Sequence, residues 1–259
     1  MLERHLQKGL RALVTAGAAG IGREIVRALV EDGARVHICD VDTAALDDAR
    51  REHAVTTSAT DVADVEQVEQ LFNDLRQHLG GLDVLINNAG IAGPTARVES
   101  ISPADWRRTI DVNITGQFYC AHFAVPLLRE RSRGTIVNMS SVAGRLGYPY
   151  RTPYAASKWA VVGFTQSLSR ELGPDGITVN AILPGPVEGP RIERVIGAKA
   201  EQYGVSYEEM QQRYLERASL RRMVSAQDVA AMVMFLCSEA GRNISGQALS
   251  VCAGVETLF

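Results

Sequence analysis

The stretch VTAGAAGIGREIV, residues 14–26, decides how the chain is read. It joins a short apolar run to a helical pattern through a loop in which Gly17, Gly20 and Gly22 carry no side chains. Glycines at such a turn let the backbone approach a pyrophosphate, and the N-terminus of the following helix presents N–H groups to its charge. A plain tight turn between strand and helix would explain the same residues, because Gly-rich turns are common. The surroundings must decide.

Outward from the loop, short apolar runs alternate with longer amphipathic ones. RALVTA (11–16), ARVHICD (34–40), LDVLINNAG (82–90), GTIVNMSS (134–141) and ITVNAILPG (177–185) read as strands rich in Val and Ile. GREIVRALVEDG, DVEQVEQLFNDLRQHLGG and PYAASKWAVVGFTQSLSRELG carry apolar residues at helical spacing. Such alternation calls for right-handed crossovers and an α/β fold: a Rossmann-type doubly wound parallel sheet with helices on both faces. It fails once, between Pro184 and Val224, where a long charged helical stretch intervenes. Residues 186–224 are therefore expected to form a lid at the rim. No repeat or linker breaks the chain, so residues 1–259 read as one domain.

Hydrophobic residues make up 46% of the chain, and no apolar run approaches the roughly 20 residues a membrane span needs. Charges near the N-terminus stand where a signal peptide needs its apolar stretch, so a cytoplasmic location is expected. A net charge of -3 offers polyphosphate no general attraction, so no nucleic-acid partner is expected, only a small molecule. Cys39, Cys120, Cys237 and Cys252 lack metal or disulfide spacing and read as buried thiols.

Asp40 ends the second strand. A carboxylate there can accept from the ribose hydroxyls of an adenosine and repels a 2′-phosphate, which favours NAD over NADP. No Arg or Lys stands among residues 16–19 or directly after Asp40 to reverse that preference. Further on, YAASK (154–158) puts a phenol and an ammonium one helical turn apart over small residues. A free phenol titrates near pH ~10, and a nearby ammonium brings it toward working pH. Tyr154 thereby becomes a candidate proton carrier for a hydride transfer.

These motifs, in this order, resemble the short-chain dehydrogenase/reductase family over nearly the whole chain. The family's Y-x-x-x-K is matched by Tyr154 and Lys158, its N-N-A-G by Asn87, Asn88, Ala89 and Gly90, and its catalytic serine by Ser141, with Ser140 as the neighbouring alternative. Its helix asparagine is matched by Asn113 in DVNITG. The resemblance implies that Tyr154 exchanges the proton, Lys158 lowers its pKa and holds the nicotinamide ribose, Ser141 hydrogen-bonds the substrate oxygen and Asn113 positions a water. It implies cofactor contacts from Gly17, Ala19, Gly20, Ile21 and Gly22, from Asp40 and Val41, and from Asp61 and Val62 around the adenine. Asn88, Ala89, Gly90, Pro184, Gly185 and Val187 complete that set. The resemblance also implies a sheet of about seven strands and a homotetramer packed through the helix of Tyr154, which WAVVGF would suit.

Three departures stand out. Ala16 replaces the family's first loop glycine, which is tolerable if its φ stays negative. Gly189 stands where a threonine often meets the carboxamide, and Cys252 stands where an Asp is frequent. The lid charges, Arg191, Glu193, Arg194, Lys199 and those after them, read as a solvated face. Arg145, Tyr148, Tyr150 and Arg151 form a second cluster that reads first as surface or interface, with an arginine able to read a carboxylate, phosphate or sulfonate as the other possibility. Trp159 reads as core or subunit contact.

The expected activity is NAD-dependent interconversion of a secondary alcohol and a ketone. One rival is reduction of 3-oxoacyl thioesters, run on NADPH in most relatives, against which Asp40 speaks. The other is a dinucleotide-binding regulatory protein without turnover, against which the filled catalytic positions speak.

Overall fold

β1 (Arg11–Thr15) feeds the glycine loop and lies inside the sheet, every residue after Arg11 being buried. A computed structural model describes residues 6–131 and 133–255. The ends of the expected 1–259 domain and position 132 lie outside the described residues. The sheet has seven strands in the order β3-β2-β1-β4-β5-β6-β7, all parallel. β2 (Arg35–Asp40), β4 (Val84–Asn87), β5 (Gly134–Met139) and β6 (Ile177–Pro184) correspond to the apolar runs of the sequence. β3 (Val55–Ala59) and β7 (Ala248–Val251) form the edges. Their sequences, VTTSA and ALSV, are half polar or short because an edge strand buries less.

Helices cover both faces. On one, α1 (Gly20–Glu31) packs beside α9 (Ala226–Cys237), with Ile25, Leu29, Val229 and Val233 fully buried against the sheet. α2 (Thr43–Glu52) adds Leu46 to the same layer. On the other, α3 (Val65–Leu79) and α5 (Gly116–Arg129) bury Leu71, Leu75 and Leu128 against Leu13 and Leu85. Each such side chain contributes roughly 1.5–3 kcal/mol by leaving water. α3 starts where the Asp64 carboxylate accepts from the N–H groups of Glu66 and Gln67, and it stops at Gly80, whose φ of +72° suits a residue without Cβ.

α4 (Pro103–Ile110) runs through a single π-type turn, 111–115, into α5. α6 (Thr152–Leu172) carries YAASK in its first turns, with Pro153 near its start. After β6 come α7 (Pro190–Tyr203) and α8 (Tyr207–Glu216), which share a small core of Ile196, Ala200, Met210 and Tyr214. The Glu188 N–H donates to Val224 O at 2.9 Å and the Val224 N–H to Pro186 O at 3.0 Å, pinning the base of this lid to the sheet. Most lid charges are exposed as expected, but Lys199 is wholly buried.

Candidate active site

The strand order reverses at β1, whose neighbours are β2 and β4, so the helices after β1 and β4 lie on opposite faces. The crevice beyond the carboxyl ends of such strands is where doubly wound sheets take ligands. A cavity of about 340 Å³ opens there, with Ala19, Gly20, Ile21 and Asp40 among the lining residues and Ser141, Arg151, Tyr154 and Lys158 on its other walls.

The glycine loop is shaped by close approaches. A Cβ on Gly17 would stand 2.9 Å from the Ile38 side chain, and one on Gly22 would collide with the Ala16 carbonyl. Ala16 itself has φ +48°, so the expectation of a negative φ fails: the loop keeps the left-handed turn that its missing glycine would have made without strain. Asn88 Nδ2 donates to the carbonyls of Thr15 and Ala16, each at 3.0 Å, while Thr15 Oγ1 accepts from the N–H groups of Asn88 and Ala89 at 2.9 Å. α1 then begins after Ala19, its N-cap, without a capping side chain or an acidic residue in its first turn. A cradle that a Cβ would fill, next to an uncapped helix start, fits a pyrophosphate.

Tyr154 and Lys158 share one face of α6. Lys158 is buried and donates from Nζ to Met139 O at 2.7 Å, and Nζ lies 5.8 Å from the centre of the Tyr154 ring. Burial lowers the Lys158 pKa, against the pull of Tyr154, to about 8. Burial alone would push the Tyr154 phenol up, but Lys158, Arg191, a hydrogen bond with Ser141 and Arg151 together bring it below its ordinary value. Ser140, by contrast, donates to Lys158 O at 2.7 Å and serves the helix backbone.

A family model described as enoyl-(acyl carrier protein) reductase matches residues 16–256. The chain is a short-chain dehydrogenase/reductase. It is 35% identical to a 2-dehydro-3-deoxy-L-rhamnonate dehydrogenase (NAD(+)) of a Sphingomonas species, over 89% of each chain. It is 32% identical to a 3-oxoacyl-(acyl-carrier-protein) reductase of Thermotoga maritima, over 96% of this chain and 98% of the other. A crystal structure of an actinorhodin polyketide ketoreductase variant with NADPH superposes with a TM-score of 0.92 at 34% identity, covering 98% of this chain and 99% of the other. The family consists of oxidoreductases that bind nicotinamide dinucleotides, and the cradle described above fits one.

In this short-chain dehydrogenase/reductase the cavity gathers Ala19, Gly20, Ile21, Asp40, Asn88, Gly90, Ser141, Tyr154, Lys158, Pro184, Gly185 and Val187 of the residues expected from sequence. Gly17, Gly22 and Ala89 are not among the lining residues and act on the loop from behind. Asn113 lies fully buried in the π-type turn, accepting from Ile91 N–H at 2.7 Å and donating to Ser157 Oγ at 3.0 Å. It backs Gly90, where an added Cβ would meet both Asn113 Oδ1 and Lys158 Nζ. Val41 is 66% exposed away from the cavity lining. Asp61 pairs with Arg108 at 2.9 Å, and Val62 is buried against Gly116.

The departures acquire reasons. Gly189 has φ +128° at the N-cap of α7, a conformation a threonine would adopt only under strain. The backbone of Cys252 crosses so close to Gly185 that a Cβ there would be 2.8 Å from its Cα. Trp159 is 51% exposed and so is no core residue.

The second cluster divides. Arg145 is exposed and donates to Ala248 O at 2.7 Å, as a surface residue does. Arg151 departs from the expected surface or interface position: it is 2% exposed and lines the cavity with Tyr148 and Tyr214, whose hydroxyls bond at 2.6 Å. Arg191, at the start of α7, lines it too, and nothing in its sequence neighbourhood separates it from the other lid charges. Lys199 Nζ sits over the Tyr148, Tyr150 and Tyr203 rings at 4.7, 5.2 and 5.6 Å and donates to Pro149 O, and burial lowers its pKa to about 7.

Proposed function

We propose that the protein is an NAD-dependent dehydrogenase or ketoreductase that interconverts a secondary alcohol and a ketone, with Tyr154 as the acid and base. The observation that carries this reading is a phenol held below its ordinary pKa beside a buried lysine, in the same cavity as Asp40 and the glycine loop. A bound nicotinamide supplies or accepts the hydride. On reduction Tyr154 gives its proton to the carbonyl oxygen, and on oxidation it takes the hydroxyl proton back. Ser141 donates to the same oxygen and orients it. Lys158 stabilises the phenolate and holds the nicotinamide ribose, and Asn113 fixes the strand-end segment and a water behind it.

Asp40 supports NAD, since its carboxylate lines the cavity where an adenosine ribose would lie. Val41, Asp61 and Val62 border that end of the cofactor. A second reading, reduction of 3-oxoacyl thioesters with NADPH, draws support from the Thermotoga relative and the NADPH-bound ketoreductase. A homotetramer in the cytoplasm completes the proposal. Exposed Trp159 on α6, with exposed Val98, Trp106 and Phe118, would supply apolar contact surface. No helix among the described residues is long and apolar enough to cross a membrane.

The test is a paired titration with NADH and NADPH at fixed salt, followed by an alcohol and ketone screen with Tyr154→Phe as control. The expected results are tighter NADH binding and a Tyr154→Phe loss of about 10²–10⁴ in turnover with binding retained. Tighter NADPH binding would move the thioester reading to the front, and Tyr154→Phe activity equal to wild type would sink the mechanism.

A further inference from the structure

Arg151 is one of the largest fully buried side chains of the protein, 2% exposed. Its Nη2 donates to Ala92 O at 2.7 Å, but its Nε and Nη1 are buried with no partner among the described residues. Among the described residues no carboxylate pairs with it. The guanidinium carbon instead stands 5.3 Å from the centre of the Tyr148 ring and 5.0 Å from that of Tyr154. A guanidinium keeps its charge at any working pH, and buried charges are ordinarily paired. Cation–π contact with two rings offsets part of the cost and leaves the donors unmet.

The charges around the cavity are unevenly divided. Its acidic lining residues are Asp40 and Glu188, and Glu188 also borders a neighbouring depression with Gly20 and Arg23, at the loop end. Arg151, Lys158 and Arg191 line the cavity around Tyr154, and all three act on its phenol or ring. The group that would satisfy Arg151 is therefore an anion close to the reacting oxygen. An acyl thioester carries no charge at its ketone, and the distance from Arg151 to Tyr154 leaves room for few bonds between charge and carbonyl.

We propose that Arg151 is a specificity-determining residue that binds the carboxylate of a short oxo or hydroxy acid, turning its unpartnered donors into the cavity it already lines. This rests on the reading of the chain as an alcohol and ketone oxidoreductase. It narrows the substrate class to acids whose carboxylate lies within a few bonds of the reacting carbon.

The experiment compares kcat/KM for pyruvate, acetoacetate and levulinate with their methyl esters, using the full chain with NADH and with NADPH. The expected result is a preference of about 100-fold for at least one acid over its ester, the size of a charge-assisted hydrogen bond. Arg151→Gln should collapse that ratio toward one, and Arg151→Lys should restore part of it. A wild-type ratio near one for every pair, or one that Arg151→Gln leaves unchanged, overturns the inference while the oxidoreductase reading stands. Should the variants fail to fold, the wild-type ratios decide alone. No turnover of any ketone with either cofactor would sink the oxidoreductase reading and this inference with it.

Discussion

Asn88 holds the carbonyl oxygen of Ala16 at 3.0 Å from its side-chain amide, and that carbonyl is the group that leaves no room for a side chain on Gly22. The bond ties the end of β4 to the loop after β1 across the switch point of the sheet. A left-handed alanine persists there because neighbours on both sides fix its backbone.

Ala16→Gly should therefore stabilise the protein by about 0.5–1 kcal/mol: it relieves the positive-φ cost, with part of the gain offset by the greater freedom of glycine in the unfolded chain. Urea unfolding at neutral pH measures it. A destabilised variant would mean that the Ala16 methyl makes a contact worth more than its backbone strain.

On the proposed mechanism the Tyr154 and Lys158 pair should set the pH dependence of turnover. Alcohol oxidation needs the phenolate, so kcat/KM should rise with pH with an apparent pKa below 10. Lys158, at about 8, loses its own proton in the same range, so the two titrate as a pair. Lys158→Met removes the stabilising cation and should move the profile upward by about one unit. An unmoved profile would assign the titration to another group.

What the sequence made legible was whatever the local backbone dictates. The glycine loop, the strand ends and YAASK each specify their geometry within a few residues, and the cavity collects most of them. The sign of φ at Ala16 was not legible, because local preference points to a negative φ and the hold on its carbonyl comes from Asn88, far along the chain. Nor was the burial of Arg151 and Lys199. Interleaved with Glu and Arg, Lys199 looks like any lid charge until three tyrosine rings close around it. The ion pair that Asp61 makes with Arg108 from α4 was likewise not legible, since the two lie far apart in the chain.

Asp40 offers a direct handle on cofactor choice. Its carboxylate accepts from the N–H groups of Ala18 at 3.4 Å and Asp42 at 3.2 Å, which orients it toward the loop end of the cavity. On the proposed NAD reading Asp40→Ala removes a charge set against a 2′-phosphate and should raise the affinity for NADPH relative to NADH by about tenfold, one charge contact near the surface. Parallel fluorescence titrations of wild type and variant measure the ratio. An unchanged ratio would show that another residue reads the ribose.

His37 gives the fold its own acid limit. In β2 it is fully buried, with Nδ1 2.6 Å from Thr56 Oγ1 and Nε2 3.1 Å from Ser58 Oγ. Ser58 donates its proton to Asp74 at 2.7 Å, so Ser58 Oγ accepts from Nε2 and the neutral ring is satisfied. Burial first, then the neighbouring His78, lowers the His37 pKa to about 4, with Asp74 pulling the other way. The unfolded chain thus binds a proton near pH ~6.5 that the folded chain refuses until about 4. Stability should fall as pH drops through that window, by on the order of 3 kcal/mol in all. Denaturant midpoints between pH 7 and 4 measure the slope. His37→Gln, which cannot titrate, should flatten it even if it lowers stability at pH 7. A slope of equal steepness in the variant would assign the acid sensitivity to the carboxylates.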